Sequence, residues 1–329
     1  MSSGILSQGI DRRRVIAGTA ALTGLGLVGG RAAAKIAGKP VTFYSPLPAG
    51  GLIDTHMRFL GERAGKRLGV PVLVDYRLGA AATLAAANVA NAKPDGHSIA
   101  LMTVNSLRYP HYQQTSWHPL NDLTYIIGLS TIIVGIVVHP DSPYRTIDDL
   151  LAAGKRQPGH LNFGTTGPGG SGHLLSIDLD QAVGAKFTHV PYKGGPETVQ
   201  ALLAREIDFM CDGAAWAPAV DGGLLRLLAV ATEKRIVRYP DIPTLKERGY
   251  DATAWSPYGI VGPKNMPADI VRELHDAFKS AMEDPGHEPL LQRFLQESWY
   301  RSGAEYRKWA EDYFVEIKPK LIKAGLAKS

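Results

Sequence analysis

Two glycine-rich stretches carry the residue types needed to hold an anion on backbone groups alone. The first is Ser45-Pro46-Leu47-Pro48-Ala49-Gly50-Gly51-Leu52-Ile53-Asp54. It follows a strand predicted over 40–44 and enters a helix whose apolar positions include Met57, Phe59 and Leu60. Pro46 and Pro48 fix the approach, and Gly50 and Gly51 let the chain turn tightly with no Cβ in the way. The first N–H groups of a helix have no intrahelical partner, so this turn offers a cradle for negative charge. Taken alone, the stretch reads equally well as an ordinary strand-to-helix turn.

The second stretch changes that balance. Gly164-Thr165-Thr166-Gly167-Pro168-Gly169-Gly170-Ser171-Gly172-His173 also sits between a predicted strand and a predicted helix. Gly167, Gly169 and Gly172 fit a G-x-G-x-x-G spacing, but a dinucleotide site needs an acidic residue at the end of the following strand. That strand ends in Thr188-His189-Val190-Pro191-Tyr192, without a carboxylate. The first stretch lacks the lysine and serine of a nucleotide-phosphate loop. A hydrolase elbow wants glycine where His173 stands, and Ser171 and His173, two apart at a helix start, do not face each other. Ser171 is therefore read as a helix cap. Two backbone cradles remain, suited to a carboxylate. Each charge-assisted hydrogen bond is worth on the order of 1.5–3 kcal/mol, and micromolar affinity needs about −8 kcal/mol.

Alternating strand and helix patterns surround both stretches and point to an α/β fold with parallel-rich sheets. Strands are predicted over 40–44, 70–75, 98–103, 132–138, 161–164, 187–190, 207–211, 224–231 and 255–261. Helices are predicted over 54–68, 83–91, 174–183, 197–204, 267–284 and 305–324, and Thr146 and Asp149 set up a near capping box for one more. Residues 105–122 read as an irregular excursion. The last two helices are expected to follow one another with no strand between them. The segments near 138 and 255–261 read as two passages between two domains, which leaves a cleft able to close on a ligand.

Composition narrows the classes. A chain of 329 residues with 45% apolar and 20% charged residues is an ordinary globular one, large enough for two domains. The formal charge of +5 is concentrated at the start, where Arg12, Arg13, Arg14 and Arg31 face only Asp11. No basic stripe interleaved with aromatics follows, which argues against nucleic acid. The single Cys211 excludes an internal disulfide and a cysteine-built metal site. Residues 11–34 read as an export signal: arginines, a glycine-rich apolar run, then Ala32-Ala33-Ala34 for cleavage before Lys35. The paired arginines resemble a twin-arginine signal, with the general secretion route also open.

The chain also resembles the Bug-type solute-binding proteins of tripartite tricarboxylate transporters. The residues that carry this are Pro46-Leu47-Pro48-Ala49-Gly50-Gly51 with Asp54, and Lys93-Pro94-Asp95-Gly96-His97. The central loop with Gly167, Gly169, Ser171 and His173 is similar too. Val190-Pro191-Tyr192-Lys193-Gly194, residues 201–208, Asp241-Ile242-Pro243-Thr244-Leu245 and Trp255 with Gly259 and Pro263 complete the match. Two positions depart from the family pattern: Leu47 replaces phenylalanine, and Arg77-Leu78-Gly79-Ala80-Ala81-Ala82 replaces R-P-G-A-G-G.

The resemblance implies a two-domain periplasmic-binding-protein fold of the Venus flytrap, type II-like kind, with two crossing strands. Residues 35–138 with 258–329 would form domain 1, and residues 139–257 domain 2. Ala49, Gly50 and Gly51 would serve the ligand from the first; Thr165, Thr166, Gly167, Gly169, Gly170 and Ser171 from the second. Asp212 matches a polar position at a strand end in the family's cleft, where it could meet a ligand ammonium or hydroxyl, or cap a turn. Asp54 is expected to support the first loop, and His173 to pack. The implied protein is a monomeric, periplasmic, non-enzymatic receptor without cofactor. It would bring a small carboxylate (dicarboxylate, aromatic acid or amino acid) to the membrane components of a tripartite tricarboxylate-type transporter. A secreted hydrolase and a sensor signalling to a membrane partner are the alternatives. The segments 105–112 and 214–216 are expected to read the rest of the ligand, with Trp216 favouring a flat or apolar body.

Overall fold

In the computed structural model, which describes Met1 and residues 36–328, strands and helices alternate along most of the chain. The expected export signal lies outside the described residues. The first elements are β1 (Val41–Ser45), α1 (Leu52–Leu68), β2 (Val72–Tyr76), α2 (Leu84–Ala90), β3 (Ser98–Thr103) and α3 (Asn105–Arg108). A long strand, β4 (Leu123–Val138), precedes α4 (Ile147–Arg156), β5 (Asn162–Thr165), α5 (Ser171–Val183), β6 (Thr188–Pro191) and α6 (Gly195–Leu203). Then come β7 (Phe209–Gly213), α7 (Ala217–Asp221), β8 (Arg226–Val230) and β9 (Trp255–Pro263). The chain ends with α8 (Ala268–Met282), α9 (His287–Arg293), β10 (Gln296–Ser302) and α10 (Gly303–Lys323).

Local chemistry sets several boundaries. Helix α1 has Asp54 in its first turn, Lys66 and Arg67 in its last, and Gly69 closing it at φ 71°. Charge thus complements the helix dipole at both ends, and the left-handed closing residue is the one without a Cβ. Thr146 and Asp149 form the expected capping box at α4, and Ser302 and Glu305 form another at α10.

The strands join in the order β2-β1-β3-β9-β4-β7-β5-β6, with β8 and β10 also paired to β4. β1 lies parallel between β2 and β3, and β5 parallel between β6 and β7. β4 and β9 run antiparallel to their neighbours. β4 begins well before the predicted 132 and changes partner midway. Ile133 pairs with Trp255 of β9, whereas Val134 pairs with Gly213 of β7. Separate buried clusters lie on the two sides of this switch, one of the two largest among the described residues on each. Phe43, Leu60 and Phe278 belong to the first; Phe163, Leu175 and Phe209 to the second.

Two expectations need correction. α9 and β10 stand between the two long C-terminal helices, where no strand was expected. β10 pairs antiparallel with β4, Gln296 opposite Ile132 and Ser302 opposite Ile127. Its sequence, Gln-Glu-Ser-Trp-Tyr-Arg-Ser, has too few apolar residues to announce a strand, and the distant pairing supplies the reason for it. The segment 105–122 holds α3 and a 3-10 turn over Tyr109–His111.

A buried polar chain ties α1 to the C-terminal elements. The Tyr258 hydroxyl lies 2.8 Å from Gln296 Oε1 and 2.6 Å from His56 Nδ1, within hydrogen-bond reach of both. His56 Nε2 in turn lies 2.8 Å from His287 Nε2, so one of the two nitrogens donates to the other. Burial lowers His56 to about 3, and it lowers His173 and His189 to about 4. These rings stay neutral when folded but take up protons near pH 6.5 when unfolded. Their contribution is complete above pH 6.5 and is lost as pH falls towards 4. Asp180 and Asp212, raised to about 6 by burial, act in the opposite sense between 3.8 and 6. We expect a net loss of stability as pH falls from 6 to 4, because the buried neutral rings outweigh the two raised carboxyls. Denaturant unfolding across that range checks it; a flat or rising stability would contradict the neutral histidines.

Candidate functional site

Where β4 changes partner, a cavity of about 90 Å³ opens, floored by Ile132, Val134 and Gly213. A single water needs roughly 10–15 Å³ by such a measure, so the space admits a small organic ligand or several waters. Three helix N-termini converge on it. Gly51, Leu52 and Ile53 begin α1, Gly170, Ser171 and Gly172 lead into α5, and Gly194, Gly195 and Pro196 lead into α6. Helix starts leave N–H groups unpaired within the helix and carry partial positive charge, so three of them aimed at one space favour an anion.

Close approach of backbones builds this arrangement. A Cβ on Gly172 would stand 1.7 Å from the Cys211 carbonyl oxygen, so α5 presses on the end of β7 as only glycine allows. A Cβ on Gly194 would stand 2.9 Å from Pro48 Cγ, which places the first loop against the start of α6. Gly50, at φ 82°, takes the left-handed turn before α1.

Of the residues singled out from sequence, Gly51, Thr165, Thr166, Gly170, Ser171 and Asp212 stand in the cavity wall. Ala49, Gly50, Gly167 and Gly169 stand outside it and shape the turns. The Gly50 N–H donates to Asp54 Oδ2 at 2.9 Å. Asp54 also accepts from the Tyr76 hydroxyl at 2.6 Å and Arg58 Nε at 3.0 Å. Burial opposes its charge, but these donors together hold its carboxyl below the usual range. Asp54 thus supports the first loop. Gly167 N–H donates to the Thr165 carbonyl, and Gly169 N–H to His173 Nδ1 at 3.0 Å.

His173 stacks on His189 with ring centroids 4.0 Å apart, and His189 Nε2 meets Thr165 Oγ1 at 2.7 Å. The histidines therefore brace the central loop from behind. Ser171 Oγ accepts from Arg108 Nη1 at 3.1 Å. With His173 Nδ1 taken by Gly169, the two side chains do not form a nucleophile and its base.

Asp212 is the one ionisable side chain in the cavity wall among the described residues. Burial raises its carboxyl to about 6, against the lowering effect of the Thr166 hydroxyl on Oδ2 and the Gly213 N–H on Oδ1. It can give a hydrogen bond when protonated and accept one from an ammonium when ionised. Cys211, just before it, is buried with its thiol pushed up to about 12.

The expected readers of the ligand body fall on both sides of the wall. Asn105 and Ala215 line the cavity. Trp216 does not: it is fully buried, donates its indole N–H to the Asp212 carbonyl and fills the space left by Gly135. The expectation that Trp216 favours a flat ligand is corrected by that position. Sequence reasoning passed over the third helix start. Gly194-Gly195-Pro196 carries its own signal, since proline is favoured in the first turn of a helix. It also passed over Arg108.

Residues 56–326 match the family described as the tripartite tricarboxylate transporter family receptor (TctC). Over 97% of this chain and 98% of the relative, it is 39% identical to the UPF0065 protein in the gbd 5'region of Cupriavidus necator. A UPF0065 protein of Agrobacterium vitis, in the TAR-I ttuE-ttuC' intergenic region, is 34% identical over 75% of this chain and 72% of its own. The structure of the periplasmic binding protein BugD superposes with a TM-score of 0.84 at 26% identity, covering 89% of this chain and all of that one. The chain belongs to the tripartite tricarboxylate transporter receptor family and is a solute-binding receptor with the periplasmic-binding-protein fold.

Proposed function

We propose that this receptor captures a small carboxylated metabolite in its cleft and delivers it, in the periplasm, to the membrane components of a tripartite tricarboxylate-type transporter. The observation that carries the reading is the convergence of three helix N-termini on a cavity that no lysine, arginine or histidine lines among the described residues. Backbone N–H groups neutralise a carboxylate without a rigid cationic partner, which suits a ligand that must be released again. The receptor acts as a monomer with no cofactor. Its two domains, residues 35–138 with 258–329 and residues 139–257, close about the stretch where β4 exchanges β9 for β7. Ala49, Gly50, Gly51 and the turn from Thr165 to Ser171 form the two jaws.

A hydrolase in the same cleft is disfavoured, because Ser171 is engaged by Arg108 and His173 by Gly169. Thermal unfolding of the mature chain against mono-, di- and tricarboxylates, aromatic acids and amino acids tests the proposal. A true ligand at a hundredfold excess over its dissociation constant stabilises by about 2.7 kcal/mol. A retained ligand without a carboxylate, identified by native mass spectrometry, would refute the carboxylate reading.

A further inference from the structure

Arg108 is a buried cation that no carboxylate neutralises. It ends α3 and is almost wholly removed from solvent. Its Nε donates to the Tyr313 hydroxyl at 2.7 Å, and Nη1 to Asn105 Oδ1, the Gly169 carbonyl and Ser171 Oγ at 3.1–3.4 Å. All of these acceptors are neutral, and among the described residues no carboxylate lies in ion-pair range of it. Burying an unpaired guanidinium is costly unless something negative comes near it. The space beside it does not supply that. Glu316 shares a second cavity with Arg108, beyond the range of an ion pair.

Ser171 separates Arg108 from the ligand cavity and belongs to the wall of both spaces. A guanidinium can only donate, so Ser171 Oγ must accept from Arg108 and turn its own hydrogen elsewhere. It reaches an acceptor in the Trp255 carbonyl at 3.5 Å, the outer limit of a hydrogen bond. A carboxylate in the cavity would be a better one. Hydrogen bonds in series polarise each other, so a cation behind the hydroxyl strengthens its donation.

We propose that Arg108 is a positioning residue. It fixes the Ser171 hydroxyl as a donor to a bound carboxylate and ties the Gly169–Ser171 turn to α3 and α10. The affinity of the cleft for an anion then depends on a cation that does not itself line it. The inference rests on the carboxylate reading above.

The test is calorimetry of the wild-type chain with acetate, succinate, citrate, benzoate and glutamate. The tightest of these is then carried through R108K, R108M, S171A and the R108M/S171A pair. R108M should bind at least tenfold more weakly, with R108K between it and the wild type. In the S171A background R108M should add less than a threefold further loss, because the two groups act in series. Binding by R108M within threefold of the wild type, or losses that multiply, would overturn the proposal. If R108M does not fold, R108K carries the comparison. Amide hydrogen exchange at residues 169–172 of the ligand-free protein is the second readout, and R108K should exchange faster there. A wild type that binds none of the five acids counts against the carboxylate reading, and the exchange result then judges Arg108 alone: unchanged exchange overturns it.

Discussion

Gly172→Ala should abolish ligand binding and lower stability by at least 4 kcal/mol, the range reserved for gross steric conflict. The added methyl would stand 1.7 Å from the Cys211 carbonyl oxygen, which is backbone in a central strand and cannot swing aside. α5 would have to lift off β7, carrying Ser171 away from the cavity and separating Thr166 from Asp212. Gly51→Ala is the matched comparison. It stands at the start of a helix in the cavity wall too, as the N-cap of α1, but its Cβ would meet nothing nearer than 3.7 Å, and its φ of −79° suits any residue. The cost there should stay within about 1 kcal/mol. Unfolding midpoints of the two variants separate the cases. A Gly172→Ala protein as stable as the Gly51→Ala protein would show that the contact of α5 with β7 is not what shapes the site.

Asp212→Asn should make the ligand-free protein more stable at neutral pH. Burial raises the Asp212 carboxyl to about 6 from an ordinary 3.8. The folded state therefore holds this proton more tightly than the unfolded state does. Its contribution is complete below pH 3.8 and is lost as pH rises through 6, leaving a penalty of about 3 kcal/mol at pH 7. Asparagine removes the charge, keeps an oxygen for the Gly213 N–H, and lets the Thr166 hydroxyl reverse to accept. A gain of about 2 kcal/mol at pH 7, vanishing near pH 4, is the expected result of denaturant titrations at the two pH values. No gain at pH 7 would mean that the carboxylate is better solvated or paired than its surroundings indicate. The same variant divides ligand classes. Glutamate, if its ammonium sits on ionised Asp212, should lose affinity, whereas an acid that accepts a hydrogen bond at this position should keep it.

Much of the scaffold could be read from the chain because its signals are local. The strand over 98–103 has the predicted limits, since six successive residues bounded by a turn need no partner to declare themselves. The capping box at Thr146 and Asp149 is likewise a matter of residues three apart. β10 was hidden because its reason lies in β4, more than a hundred and sixty residues away. The length of β4 was hidden for the same cause: residues 123–131 are held by β9 and β10.

At the site, the sequence offered glycines but not the use of each. Gly50 and Gly169 look like cradle residues by type, yet their N–H groups are occupied by Asp54 and His173. Gly172, one member of a weak spacing in the sequence, meets the closest backbone approach among the described glycines. Trp216, expected at the ligand, was claimed by the gap above Gly135 in β4. Arg108 stood in a stretch read as irregular, and only the folded chain brings it to Ser171.

The most direct test of the central claim is a titration of the ¹⁵N-labelled chain with the carboxylate panel, followed at each backbone amide. If helix N-termini hold the ligand, the amides of Leu52 and Ile53, of Ser171 and Gly172, and of Gly195 should shift together, saturating with the affinity that calorimetry gives. Those of Gly50 and Gly169, already engaged within the protein, should respond less. A carboxylate that binds while these helix-start amides stay unmoved would contradict the account, because the anion would then be held by some other part of the chain.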